Sequence, residues 1–227
     1  MKHLPWSYFT AVFFGVYVFL VFLGEHDAAW FLKPLLIPFL ATKLIFTPYF
    51  SNKKWLIFAL TFSWIGDVML MFQNIDSFYF IVGLFSFLLA HMFYIYLFSK
   101  LKSFSKMSIK SWSLLAFSLI YLVCFLVFLF SNGDMEGMYF PVSIYAVVLS
   151  VMLWAAGCLF FVKPHSGYDW ILIGALSFVA SDSLLAINKF CSSLEIQDLS
   201  FYVTASYLFA QFAIFNGVIH VHRHKFL

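Results

Sequence analysis

Charge is what this chain has least of. Only 10% of its 227 residues are Asp, Glu, Lys or Arg, against roughly 25% in an ordinary soluble domain. Hydrophobic residues make up 64% and the mean hydropathy is +0.96, which excludes a soluble globular fold. Cysteine is scarce too. Cys124, Cys158 and Cys191 show no metal-ligand spacing and read as buried apolar thiols. No His-x-x-x-His pattern falls within an apolar run, so no metal is expected. The apolar runs do not alternate with polar residues, which argues against a membrane β-barrel. The start of the chain lacks a cleavable leader pattern, so its first apolar run is expected to be retained. A net charge of +3 makes no case for nucleic acid; where the charges fall matters more.

What is present is a series of long apolar runs. One crossing needs about 20 largely apolar residues, and only helices or closed barrels satisfy their backbone in lipid. The fold class expected is an all-α membrane protein with eight transmembrane helices in one compact bundle, a single integral-membrane domain over 1–227. The spans fall at about 6–24, 30–50, 55–73, 78–99, 111–131, 139–162, 169–189 and 200–221. Thirty-three phenylalanines suit a lipid-facing surface. Trp6, Trp30, Trp55, Trp112 and Trp170 lie near span starts, where interfacial belts form.

Charge placement gives an orientation. With a cytoplasmic N-terminus, Lys2, Lys53, Lys54, Lys100, Lys102, Lys106, Lys110, Lys163, Arg223 and Lys225 share the inner face. The outer face takes Glu25, Asp27, Asp76, Asp134, Glu136, Glu195 and Asp198, with Lys189 as its one cation. This obeys the positive-inside rule and needs an even number of spans. A faint internal repeat is also visible: Gly66-Asp67-Val68-Met69-Leu70 in span 3 resembles Ser181-Asp182-Ser183-Leu184-Leu185 in span 7. Phe78-Tyr79 then Ala90-His91 follow the first; Phe201-Tyr202 then Ala210-Gln211 follow the second. Two parallel four-helix repeats would account for this.

Asp67 and Asp182 are the strongest functional signal. A carboxylate near the bilayer centre costs about 2.5–3.5 kcal/mol on insertion scales and seldom persists without a partner or a task. At ~1.5 Å per residue they lie about 18 and 20 Å from the inner ends of their spans, hence at similar depth. Other spans add Lys33, Lys43, His91 with Tyr94 on one face, Tyr207 with Gln211 on one face, and Asn216; Asn188 and Lys189 stand two turns beyond Asp182. Taken singly, these residues have structural explanations. Lys–Asp pairs can be plain ion pairs, hydroxyls and amides can glue helices, Lys33 and Lys189 can snorkel, and the His220-Val221-His222-Arg223-His224 tail reads as interfacial. Taken together, two aspartates among His, Tyr, Gln and Lys point to a polar cavity. Two carboxyls sharing one cavity tend to divide into an acid and a base. That arrangement serves either hydrolysis or proton coupling in a transporter, and spacing does not separate the two.

The motifs are fairly specific as an ordered set. Lys33-Pro34-Leu35, Gly66-Asp67-Val68-Met69-Leu70, Gly83 through Ala90-His91 to Tyr94, Tyr145-Ala146, Gly174-Ala175 through Ser181-Asp182 to Asn188-Lys189-Phe190, and Tyr207 to Gln211 run from span 2 to span 8. In that order the chain resembles the lysoplasmalogenase, or YhhN-like, family of multi-span membrane proteins. The resemblance implies an eight-helix enzyme that cleaves the vinyl ether of lysoplasmalogens to a fatty aldehyde and a glycerophospho head group, with no metal or organic cofactor. It implies Asp67 and Asp182 as the catalytic pair, with Lys33, His91, Tyr94, Ser181, Asn188, Tyr207 and Gln211 binding substrate or supporting them. The expected partners are a lysophospholipid substrate and membrane lipid, not nucleic acid; the oligomeric state is left open. The expected setting is a bacterial inner membrane with both termini cytoplasmic. A proton- or cation-coupled small transporter, or a lipid-translocating protein, is the alternative.

Overall fold

The computed structural model describes residues 6–101, 109–162, 166–191 and 198–223, and every regular element among them is helical. In chain order these are α1 (Trp6–Phe22), α2 (His26–Leu32), a 3-10 turn (Lys33–Leu35), α3 (Leu36–Thr42), α4 (Lys53–Leu70), α5 (Ser77–Leu101), α6 (Ile109–Asn132), α7 (Tyr139–Val162), α8 (Ser166–Phe190) and α9 (Leu199–Arg223). Helices α5 to α9 are each long and apolar enough to cross a membrane. Helix α1 is apolar but has 17 residues, about 25 Å against a hydrocarbon core of about 30 Å. The chain is a multi-pass membrane protein. It divides into two compact units, Met1–Leu97 and Phe98–Leu227. Expectations resting on Lys2, Lys102, Lys106, Lys163, Glu195, His224 and Lys225 lie outside the described residues.

In the first unit the structure corrects the span expected at 30–50. That stretch is not one helix: α2 ends at Leu32, a 3-10 turn follows, α3 ends at Thr42, and no regular helix covers 43–50. Proline is the cause. Pro34 and Pro38 bring no N–H and clash with the preceding turn, so the chain tightens locally and two carbonyls lose their helical donors. One is recovered from outside. An α-helical bond to Pro34 O would come from the N–H of residue 38, which proline lacks, and Trp64 Nε1 of α4 donates to that oxygen at 2.8 Å. Beyond α3, Lys53 Nζ donates to Leu44 O at 2.6 Å and Thr47 O at 3.0 Å, closing the end of the broken segment. Lys43 Nζ donates to Ser7 Oγ of α1 at 3.0 Å. Aromatic contacts finish the packing: Trp6 stacks on Phe39 at 5.5 Å, and Phe93 of α5 meets Phe58 and Phe62 of α4 at 5.3 and 5.4 Å.

In the second unit α8 and α9 form the most extensive helix pair, because small residues let their backbones touch. A Cβ on Gly217 would stand 2.6 Å from Gly167 O, and one on Gly174 would stand 2.9 Å from Ile214 N. Lipid offers no hydrophobic drive between helices, so close packing and interhelical hydrogen bonds must supply it. Both are present. Ser177 Oγ donates to Ser206 O at 2.8 Å and Ser181 Oγ to Val203 O at 3.0 Å. Cys158 and Cys191 are buried as expected, but Cys124 is exposed on α6; a thiol is apolar enough to face lipid.

Candidate functional site

Many hydroxyls in these helices are satisfied by the carbonyl one turn back, as Thr10 is by Trp6, Ser86 by Val82 and Ser143 by Tyr139. This is the cheapest way to carry a hydroxyl through lipid. Polar side chains that reach another helix therefore stand out, and some of them lie beside the two aspartates.

Asp67 lies in the last turn-and-a-half of α4 and is 5% exposed. Lys33 from the 3-10 turn and Tyr17 from α1 both feel its charge. Tyr17 is buried, whereas Lys33 keeps partial exposure. The proline break sets Lys33 here, because the Trp64–Pro34 bond ties that turn to α4 three residues before Asp67. Gly66 is required by close approach: a Cβ there would lie 2.7 Å from the Phe87 ring. Ser63, one turn before Asp67, is fully buried and its hydroxyl meets no hydrogen-bond partner. His91 and Tyr94 share a face of α5 and are both fully buried.

Asp182 is half-buried on α8, at a cleft between α6, α7 and α8. The Tyr145 hydroxyl of α7 donates to Asp182 Oδ2 at 2.5 Å. Beside it, Tyr121 of α6 and Ser183 share a hydrogen bond of 2.7 Å, and Ser183 Oγ donates to Val179 O at 2.7 Å. The cleft offers about 40 Å³, more than the roughly 10–15 Å³ one water needs. Leu122, Phe125, Val142, Leu149 and Ala186 make most of the rest of its wall. It can hold a small polar reactant against a carboxyl while presenting apolar surface to a chain.

The remaining sequence candidates fall elsewhere. Ser181 is spent on the α9 backbone. Gln211 is fully buried; its Nε2 donates to Tyr207 Oη at 3.3 Å, and Tyr207 packs edge-on against Phe178 at 5.5 Å. Asn188 is exposed near the end of α8 and is absent from the Asp182 cleft wall. Among the described residues, no three His, Cys, Asp or Glu side chains cluster to hold a metal. Tyr145, Tyr121, Ser183 and Tyr17 were not among the sequence candidates for the site. Tyr145 and Ser183 carried a signal, through their places in the Tyr145-Ala146 and Ser181-Asp182-Ser183 motifs.

Residues 28–218 match the YhhN family, a stretch that runs from α2 into α9 and includes both aspartates. The chain belongs to the YhhN family. Two relatives, the lysoplasmalogenases of Mycobacterium bovis and Mycobacterium tuberculosis, are each 29% identical to it over 154 residues. That alignment takes in 66% of this chain and 56% of each relative, so the match spans little more than half of their length. No solved structure matches.

Proposed function

We propose that this family member is an intramembrane hydrolase that cleaves the vinyl ether bond of lysoplasmalogens, releasing a fatty aldehyde and a glycerophospho head group. The observation that carries the reading is Asp182, held by the Tyr145 hydroxyl at the polar end of a largely apolar cleft. Family membership and the lysoplasmalogenase relatives support the same substrate class. Vinyl ethers hydrolyse by protonation of the β-carbon, which generates an oxocarbenium ion. Water adds to that ion, and the hemiacetal collapses to aldehyde and alcohol. The chemistry asks for a proton donor, a carboxylate that steadies the cation, and a base for the water. Asp67 and Asp182 are the carboxyls assigned to it, with no metal or organic cofactor.

The same proposal includes eight spans, both termini on the cytoplasmic side of a bacterial inner membrane, and two parallel halves. The division of the chain at Leu97 and Phe98 supports the halves, since it separates the same two sets of four expected spans. Purified protein incubated with lysoplasmenylethanolamine in detergent is expected to release long-chain aldehyde. No aldehyde across a range of pH and detergent sinks the hydrolase. Ion or lipid flux in liposomes without aldehyde release would put a transporter in its place.

A further inference from the structure

At the Asp182 cleft every hydroxyl proton is already committed. Val179 O can only accept, so Ser183 Oγ donates to it. A hydroxyl has one proton, so the bond between Tyr121 and Ser183 must run from the Tyr121 hydroxyl to Ser183 Oγ. Ser150, also in the wall, donates to Ala146 O at 2.9 Å. Tyr145 gives its proton to Asp182 Oδ2. What these hydroxyl oxygens have left for the cleft is lone pairs, and Asp182 faces it with its carboxyl oxygens. The polar end of the cleft accepts hydrogen bonds and donates none, so its occupant must be a donor, and the 40 Å³ available suits a molecule the size of water.

We propose that this acceptor-only cleft seats the water consumed in the reaction, held by its two hydrogens against Asp182 and Tyr121. The inference rests on the vinyl ether reading and assigns Asp182 one half of its chemistry. As the water oxygen bonds to the oxocarbenium carbon, one of its protons passes to the Asp182 carboxylate, leaving the neutral hemiacetal. Its C–O bond to glycerol then breaks: the hydroxyl gives up its proton, the glycerol oxygen gains one, and the aldehyde carbonyl forms. Tyr145 is a positioning residue, fixing the carboxyl that takes the proton. Held by its hydrogens, the water keeps an oxygen lone pair for attack, which a pocket of donors would have occupied.

Methanol tests this, because it has one donor hydrogen where water has two. It captures the same cation as a stable mixed acetal, of mass equal to substrate plus methanol. With lysoplasmenylethanolamine in dilute methanol, the wild type is expected to favour aldehyde over acetal beyond the solvent ratio. Tyr121→Phe removes an acceptor that water uses and methanol does not need, so the acetal-to-aldehyde ratio rises about tenfold, the worth of one hydrogen bond. Tyr145→Phe loosens the base that water and methanol share, so it lowers turnover without moving the ratio; Tyr121→Leu carries the test if Tyr121→Phe does not fold. A ratio unchanged in a folded Tyr121 variant, with the wild type turning over, overturns the water assignment and leaves the hydrolase standing. Neither product from the wild type overturns both. A merely structural role for Tyr121 would lower yield or stability without moving the ratio.

Discussion

Asp67 and Asp182 sit in similar sequence settings, Gly66-Asp67 and Ser181-Asp182, yet the structure gives them opposite kinds of company. Asp67 is nearly closed off, and a cation, Lys33, is brought to it by a helix that proline has broken. Asp182 is half-open, on an unbroken helix, and takes a neutral phenol donor from Tyr145. A charge and a hydroxyl are different answers to the same cost of a carboxylate in lipid. The cation offsets the charge; the phenol orients the carboxyl. Likeness of motif thus does not carry likeness of environment, and the two aspartates should fail differently.

The largest expected effect is on turnover. Asp67→Asn and Asp182→Asn should each lower aldehyde release by about 10²-fold or more, the usual scale of positioned acid–base groups. Stability separates them. Asp67→Asn leaves Lys33 facing no carboxylate, at about 1–3 kcal/mol; the 3–5 kcal/mol typical of a fully buried pair is too much for a partly exposed lysine. Asp182→Asn still offers an amide oxygen to Tyr145, so its cost stays below about 1 kcal/mol. Thermal unfolding in detergent reads the difference, and equal losses in the two variants would break the distinction between charge pairing and phenol pairing.

What the sequence reveals and what it hides follow the same division. The long helices are legible because about 20 consecutive apolar residues admit one solution in lipid, and α5 to α9 fall close to the expected bounds. The break at Lys33–Leu35 was visible as Pro34 and Pro38, but membrane helices often carry proline when a neighbour supplies the lost bond. Only the structure shows that Trp64, thirty residues away, supplies it while the helix still shortens to 3-10. Tyr145 is hidden for a related reason. Its partner lies 37 residues on, in the next helix, and periodicity reports which residues share a face but not which faces meet. Ser181 misleads in the other direction, since its place beside Asp182 suggests chemistry while its hydroxyl holds α9.

The frames behind the aspartates differ as well, and glycine substitutions sharpen that. On α9 a Cβ at Gly217 meets the Gly167 carbonyl at 2.6 Å, a backbone atom that no rotamer change can move aside. Gly217→Val should therefore cost about 2–3 kcal/mol, the upper part of the range for overpacking, and should lower turnover by disturbing the helix that carries Asp182. In the first unit, Gly15 of α1 has nothing within 4 Å of its Cβ position. Gly15→Ala should gain about 0.5–1 kcal/mol by removing the helical glycine penalty. Denaturation of the two variants beside the wild type checks both signs. A harmless Gly217→Val would mean that the α8–α9 seam is looser than its backbone contacts indicate.

The smallest expected effect concerns the bond that places Lys33. Pro34 O lacks its α-helical donor because residue 38 is proline, and Trp64 Nε1 donates to it at 2.8 Å. Trp64→Phe keeps an aromatic ring and removes that donor, so it should cost about 1 kcal/mol, the net worth of one hydrogen bond. Pro38→Ala supplies a backbone N–H where the α-helical pattern wants it, giving Pro34 O a second candidate. In that background the same Trp64→Phe change should cost less, with a coupling of about 0.5–1 kcal/mol between the two sites. If the tryptophan costs as much with Pro38→Ala as without it, its contribution is packing and the carbonyl is incidental. If the coupling appears, a missing N–H in α3 is what binds the broken helix to α4, and with it the cation that Asp67 feels.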